Sequence, residues 1–186
     1  YATTYYLRSY AVNEIGVAYG EEISFTTLAI LPTMGTSSVS DITSSSATIS
    51  SSVTSDGGAT VTERGVVYST SSNPTTSNSK IVSGSGLGSF ECKLTSLNYA
   101  TTYYVRSYAK NSAGIVYGNE ITFTTSPSLP TVSASTVTKI TSSSATISSS
   151  VTSDGGANII ERGVVYSNSS NPTIDNATKV VIGSGN

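Results

Sequence analysis

Two Tyr–Arg–Tyr rows are the residues whose types and spacing most directly suggest chemistry. Tyr104, Arg106 and Tyr108 alternate along the chain, and so do Tyr6, Arg8 and Tyr10. Alternate residues of a strand share a face. An outward row of tyrosine rings around a guanidinium would stack on sugar rings or meet a protein surface. The same spacing suits a solvent-facing ladder in which arginine packs between rings and across strands. Repetition favours the ladder, because otherwise every copy would carry the same site.

Other chemistry finds less support. There is no His, so the commonest metal ligand and the usual neutral-pH base are missing. Cys92 is the single Cys, which excludes an intrachain disulfide. It shares a period-two face with Phe90 and Leu94 and is expected to be a small buried hydrophobe. Asp56-Gly-Gly58 and Asp154-Gly-Gly156 offer one carboxylate per loop, and calcium needs about six to eight oxygens, so these are expected to be turns. Glu63-Arg64 and Glu161-Arg162 have no second carboxylate at a useful spacing, and Glu21-Glu22 suits a solvated strand edge. Gly84-Ser-Gly-Leu-Gly88 would need a following helix to cradle phosphate. Asn168-Ser-Ser170 and Asn176-Ala-Thr178 fit the N-glycosylation pattern. No catalytic, cofactor-binding or metal-binding residues are expected.

Charge narrows the partners. Lys and Arg total 9 against 11 acidic residues in 186, a net charge of −2. That is no footprint for nucleic acid. No apolar run is long enough to span a bilayer as a helix. Ser and Thr make up about a third of the chain, above ordinary globular usage.

The elements that must position these residues come in repeats. Tyr1-Ala-Thr-Thr-Tyr-Tyr6 recurs as Tyr99 to Tyr104, an offset of 98 residues. Ile42 to Ala59 recurs unchanged as Ile140 to Ala157, and Glu63 to Ser69 as Glu161 to Ser167. A period of this length suits an autonomous small domain rather than a solenoid unit. The expected organisation is a partial repeat at 1–27, a linker at 28–32, a complete domain at 33–125, a linker at 126–130 and a second partial repeat at 131–186. Both linkers are short and contain Pro, which stiffens them. Leu31 and Leu129 are expected to tuck into the junctions.

Within one repeat the period is two. Ala47, Ile49, Ser51 and Val53 share a face, followed by a turn at Ser55-Asp-Gly-Gly58. Val61–Tyr68 reads as a strand with Gly65 at a bulge, and Lys80–Ser83 as a short strand. In Thr102–Ala109, Tyr103, Val105, Ser107 and Ala109 oppose Thr102, Tyr104, Arg106 and Tyr108. Asn111-Ser-Ala-Gly114 is a hairpin turn, and Val116–Thr124 is the last strand. Together with a first strand near Val39, this makes about seven short strands in about 95 residues, the scale of an immunoglobulin-like sandwich.

At Leu97 the wording becomes specific. Leu97, Thr101, Tyr103, Val105, Ala109 and Asn111 fall at spacings that resemble the late-strand signature of fibronectin type III domains. That resemblance implies an all-β fold of tandem immunoglobulin-like, fibronectin type III-like β-sandwiches, one complete and two partial. It also implies a tyrosine corner at Tyr103, with Tyr5 as its counterpart. Two positions depart from the family: Tyr99 stands where Pro is usual, and Ser51 stands near the place of the early-strand Trp. The stretch from Tyr103 to Thr125 also resembles tandem domains of large surface proteins of Bacteroidetes-type bacteria. That implies an extracellular, cell-surface or secreted setting and a structural segment of a stalk, filament or adhesin that holds a distal module. The alternatives are a glycan- or protein-binding module using the Tyr/Arg faces, and an accessory domain of a secreted polysaccharide-degrading enzyme. The expected partners are neighbouring repeats of the same chain, other copies through strand complementation of the partial ends, and surface glycans.

Overall fold

A computed structural model describes residues 1–185. In it the period-two stretches become strands, and the described residues contain no helix. In chain order the first strands are β1 (Thr4–Leu7), β2 (Tyr10–Asn13), β3 (Gly16–Tyr19) and β4 (Ile23–Thr26). Next come β5 (Thr33–Met34), β6 (Ser38–Ser40), β7 (Ala47–Ser55), β8 (Glu63–Ser69), β9 (Ser79–Val82) and β10 (Gly88–Leu94). β11 (Thr102–Asn111), β12 (Gly114–Tyr117) and β13 (Ile121–Thr124) follow. The last are β14 (Thr131–Val132), β15 (Thr136–Thr138), β16 (Thr146–Ser148), β17 (Val151–Ser153), β18 (Arg162–Tyr166) and β19 (Thr178–Gly183).

The chain divides into two compact units. One comprises Tyr1–Ile42, Ser46–Ser96 and Thr102–Thr124; the other comprises Thr43–Ser45, Leu97–Thr101 and Thr125–Asn186. The first unit holds two antiparallel sheets. In one, β7 lies between β10 on one side and β5 and β6 on the other. In the second, the order is β12-β11-β8-β9, with β13 also on β11. Their inward residues build the core: Ala47, Ile49 and Val53 on β7, Phe90, Cys92 and Leu94 on β10, and Tyr103, Val105 and Ala109 on β11. The fold of this part is an all-β, immunoglobulin-like sandwich.

The core is small and partly polar. Ser51, near the place expected for a Trp, is buried. Its Oγ lies 3.1 Å from Ser37 Oγ, which is in turn 3.0 Å from Ser107 Oγ. The three hydroxyls lie within hydrogen-bond distance in a row, so burial leaves none of these oxygens without a partner.

Several strand expectations change. The last strand is two: β12 pairs Tyr108 with Tyr117, whereas β13 pairs Val105 with Ile121, a shift of one residue in register. An extra residue on one strand forces such a break and bends it. The first strand is likewise two pieces, β5 and β6. Register runs straight through Gly65, contrary to the expected bulge. Glycine is needed there because a Cβ would lie 2.0 Å from the Ile81 carbonyl oxygen. At its counterpart Gly163 the register does shift.

Residues 4–26 form two antiparallel pairs, β1 with β4 and β2 with β3. In the second unit, β14 pairs with β17, β15 with β16 and β18 with β19. Leu129 is 86% exposed rather than tucked away. Leu31 is 42% exposed, with its Cδ2 3.1 Å from where a Gly114 Cβ would stand.

Candidate functional site

The Tyr/Arg face sits on the outer side of the β12-β11-β8-β9 sheet. Cross-strand pairing places Tyr104 opposite Ser69, Arg106 opposite Val67 and Tyr108 opposite Gly65. Tyr104 and Arg106 are half-buried. The row does not continue to a third outward ring: Tyr108 is 0% exposed. The Tyr108 hydroxyl donates to Glu63 Oε1 at 2.6 Å, and Lys80 Nζ sits 5.9 Å from its ring centroid. Lys80 also bridges to Glu63 at 3.0 Å. Tyr108 therefore belongs to a Tyr–Glu–Lys cluster rather than to a binding surface.

Electrostatics follow this packing. Burial pushes the Tyr108 hydroxyl well above the ordinary tyrosine range, and its bond to the Glu63 carboxylate adds to the shift. The hydrogen bond from Tyr108, followed by that from Lys80, holds Glu63 below its usual value. Glu161 and Lys179 repeat the ion pair at 3.0 Å. Glu63-Arg64 shows no catalytic partner in the sequence, and the structure gives Glu63 a structural one. The signal that was available is Lys80, whose counterpart Lys179 accompanies Glu161 in the other copy.

Arg106 is engaged on its own sheet. Its Nε donates to the Gly118 carbonyl at 3.1 Å, and its guanidinium carbon lies 4.8 Å from the Tyr117 ring centroid. Tyr117 is anchored in turn, its hydroxyl accepting from the Thr76 amide at 2.9 Å. Arg8 does the same in the first partial repeat: its Nε donates to the Gly20 carbonyl at 2.9 Å, and it lies 5.0 Å from the Tyr19 ring centroid. Tyr6 and Tyr10 are exposed there. The arrangement is an arginine–tyrosine ladder that ties β11 to β12.

Tyr103 lies inside the sandwich. Its ring stacks on Phe123 at 5.7 Å and meets Tyr68 at 6.2 Å. Tyr5 keeps the same partner, stacking on Phe25 at 5.5 Å, yet it is 51% exposed. The strand pair alone orients the ring; the second sheet covers it.

Arg64 and Asn111 take structural roles. Arg64 Nη1 donates to the Leu87 carbonyl at 2.6 Å and the Gly88 carbonyl at 3.0 Å, while its guanidinium lies 5.2 Å from the Phe90 ring centroid. The Gly84–Gly88 segment is thus folded around a cation, with carbonyls rather than amides turned toward it. Asn111 Nδ2 donates to the carbonyls of Ile30 at 2.7 Å and Asp56 at 2.8 Å. Asp56 itself accepts from the Gly58 amide at 2.9 Å, closing the loop as a turn. Cys92 is buried, and burial raises its thiol pKa.

No family model matches this chain, and no curated protein does. Solved structures give the likeness. The sensor domain of the anti-sigma factor RsgI4 of Pseudobacteroides cellulosolvens is 23% identical, with a TM-score of 0.40 over 51% of this chain and 94% of that one. The FN1-FN3 domains of chicken CNTN1 are 22% identical with a TM-score of 0.40, and the match spans 67% of this chain but 42% of theirs. A fibronectin type III domain of human KIAA0970 protein is 17% identical, with a TM-score of 0.39, covering 55% of this chain and 81% of that one.

Proposed function

We propose that this chain is a segment of a tandem array of fibronectin type III-like sandwiches that serves as structural spacing outside the cell. In this reading it is part of a stalk, filament or adhesin that carries a distal module. The observation that supports it is repetition. Sequence recurs at an offset of 98 residues, while Arg106 and Tyr108 of the best candidate face bond within their own sheet. A spacer needs each unit to bury its own core and to join the next through a short connector. Residues 33–125 act as one such unit, with Tyr103 pinning its corner. The glycan-binding reading draws less support, because Tyr108 is buried and Arg106 is already bonded. Protease shaving of intact producing cells tests the proposal. Peptides from residues 33–125 are expected in the supernatant without lysis. Their release only after cell rupture would overturn it.

A further inference from the structure

Both boundaries between repeats carry the same backbone contacts. At the first, the Ile30 amide donates to the Gly57 carbonyl at 2.9 Å, and the Ala2 amide to the Leu28 carbonyl at 3.2 Å. At the second, the Ser128 amide donates to the Gly155 carbonyl at 2.8 Å, and the Ala100 amide to the Ser126 carbonyl at 3.2 Å. Every one of these residues is 98 positions from its counterpart.

Glycine makes the approach possible. Gly57 and Gly155 are buried, and both have φ of +70°. A Cβ on Gly57 would lie 2.1 Å from the Ile30 carbonyl oxygen, and one on Gly155 would lie 2.2 Å from that of Ser128. No L side chain fits at either distance. The next glycine meets the Tyr-Ala corner of the preceding repeat. A Cβ on Gly58 would stand 2.5 Å from Ala2 Cβ, and one on Gly156 would stand 2.3 Å from Ala100 Cβ. The Tyr99 hydroxyl reaches Ser153 Oγ at 2.8 Å. Tyr99 is the residue that replaces the usual Pro, so this departure from the family has a contact to account for it. At the first boundary Asn111 closes the arrangement by donating to both Ile30 and Asp56.

We propose that the Ser-Asp-Gly-Gly loop of each repeat is a docking socket for the tail and the Tyr-Ala corner of the repeat before it. The partner is a neighbouring copy of the same repeat, recognised mainly through its main chain. The linker is then a held segment rather than a free hinge. The socket stands apart from the extracellular reading: either can fail while the other holds.

Amide hydrogen exchange by NMR on the 186-residue chain tests it, with Gly57→Ala set beside Gly84→Ala. Gly84 has φ of +89° and nothing within 4 Å of its missing Cβ, so it carries the backbone strain without the docking contact. In the parent chain the Ile30 and Ser128 amides should exchange at least about tenfold slower than open-chain amides. Gly57→Ala should abolish the protection of Ile30 while sparing Ser128 and the core amide of Val105, and Gly84→Ala should spare all three. Open-chain exchange at Ile30 in the parent, or equal acceleration in both variants, would overturn the socket. If Gly57→Ala also unprotects Val105, Gly155→Ala decides: loss of protection at Ser128 with Val105 intact supports the socket, and retained protection at Ser128 refutes it.

Discussion

Tyr108 shows how far a single residue can depart from its own strand pattern. Alternation puts it on the outer face with Arg106, and there the face it occupies is correct. Its ring and hydroxyl meet Lys80 and Glu63, which lie on other strands, and no local pattern carries that information. Removing the hydroxyl in Tyr108→Phe should cost about 1 kcal/mol in urea unfolding, whereas Tyr10→Phe, at an exposed ring, should cost almost nothing. The two shifts have opposite pH consequences. Glu63 is lowered in the fold, so its contribution is present above the ordinary glutamate pKa and fades as pH falls through the lowered value. Tyr108 is raised, so its contribution is present below the usual tyrosine range and fades as pH climbs above it. Absorbance at alkaline pH should show one tyrosine still protonated after free tyrosine would have ionised, and Glu63→Gln should bring that titration down. Cys92 was legible from its period-two face alone. A thiol reagent should leave it unmodified in the native protein and react once urea opens the core, because the buried thiol is both shielded and slow to ionise.

Strands were legible wherever both sides of the pleat differ in polarity. Ala47 to Val53 and Phe90 to Leu94 read correctly because their inward and outward residues contrast. The division of the last strand into β12 and β13 did not, since the break is a one-residue register shift relative to β11 and leaves no polarity signal of its own. The socket glycines carry only a turn signal in the sequence, because a close approach between backbone segments far apart in sequence has no local mark. Tyr5 and Tyr103 give an internal comparison at this scale. Both stack on the phenylalanine of the adjoining strand, but only Tyr103 is covered by a second sheet. Tyr103→Ala should therefore destabilise the folded unit by about 3 kcal/mol, the order seen for large buried aromatics. Tyr5→Ala should change urea stability by less than about 0.5 kcal/mol.

Across the whole molecule, one segment holds the closed core and its repeated relatives do not. The buried apolar side chains run from Ala47 to Phe123, while Tyr5, Phe25, Val132, Ile147 and Val181 are open to solvent. Near-identical sequence thus differs in burial between the segment with two packed sheets and its copies. Repetition itself was legible from the first Tyr-Ala-Thr-Thr match; what each copy buries depends on which strands accompany it. The most direct test is residue-resolved amide exchange over the entire 186-residue chain. The slowest amides should be those of β7, β8, β10 and β11, among them Ile49, Val67, Cys92 and Val105, with their counterparts Ile147 and Val165 exchanging orders of magnitude faster. Equal protection of Ile49 and Ile147, or none at Val105, would contradict a self-contained sandwich as the unit of this chain.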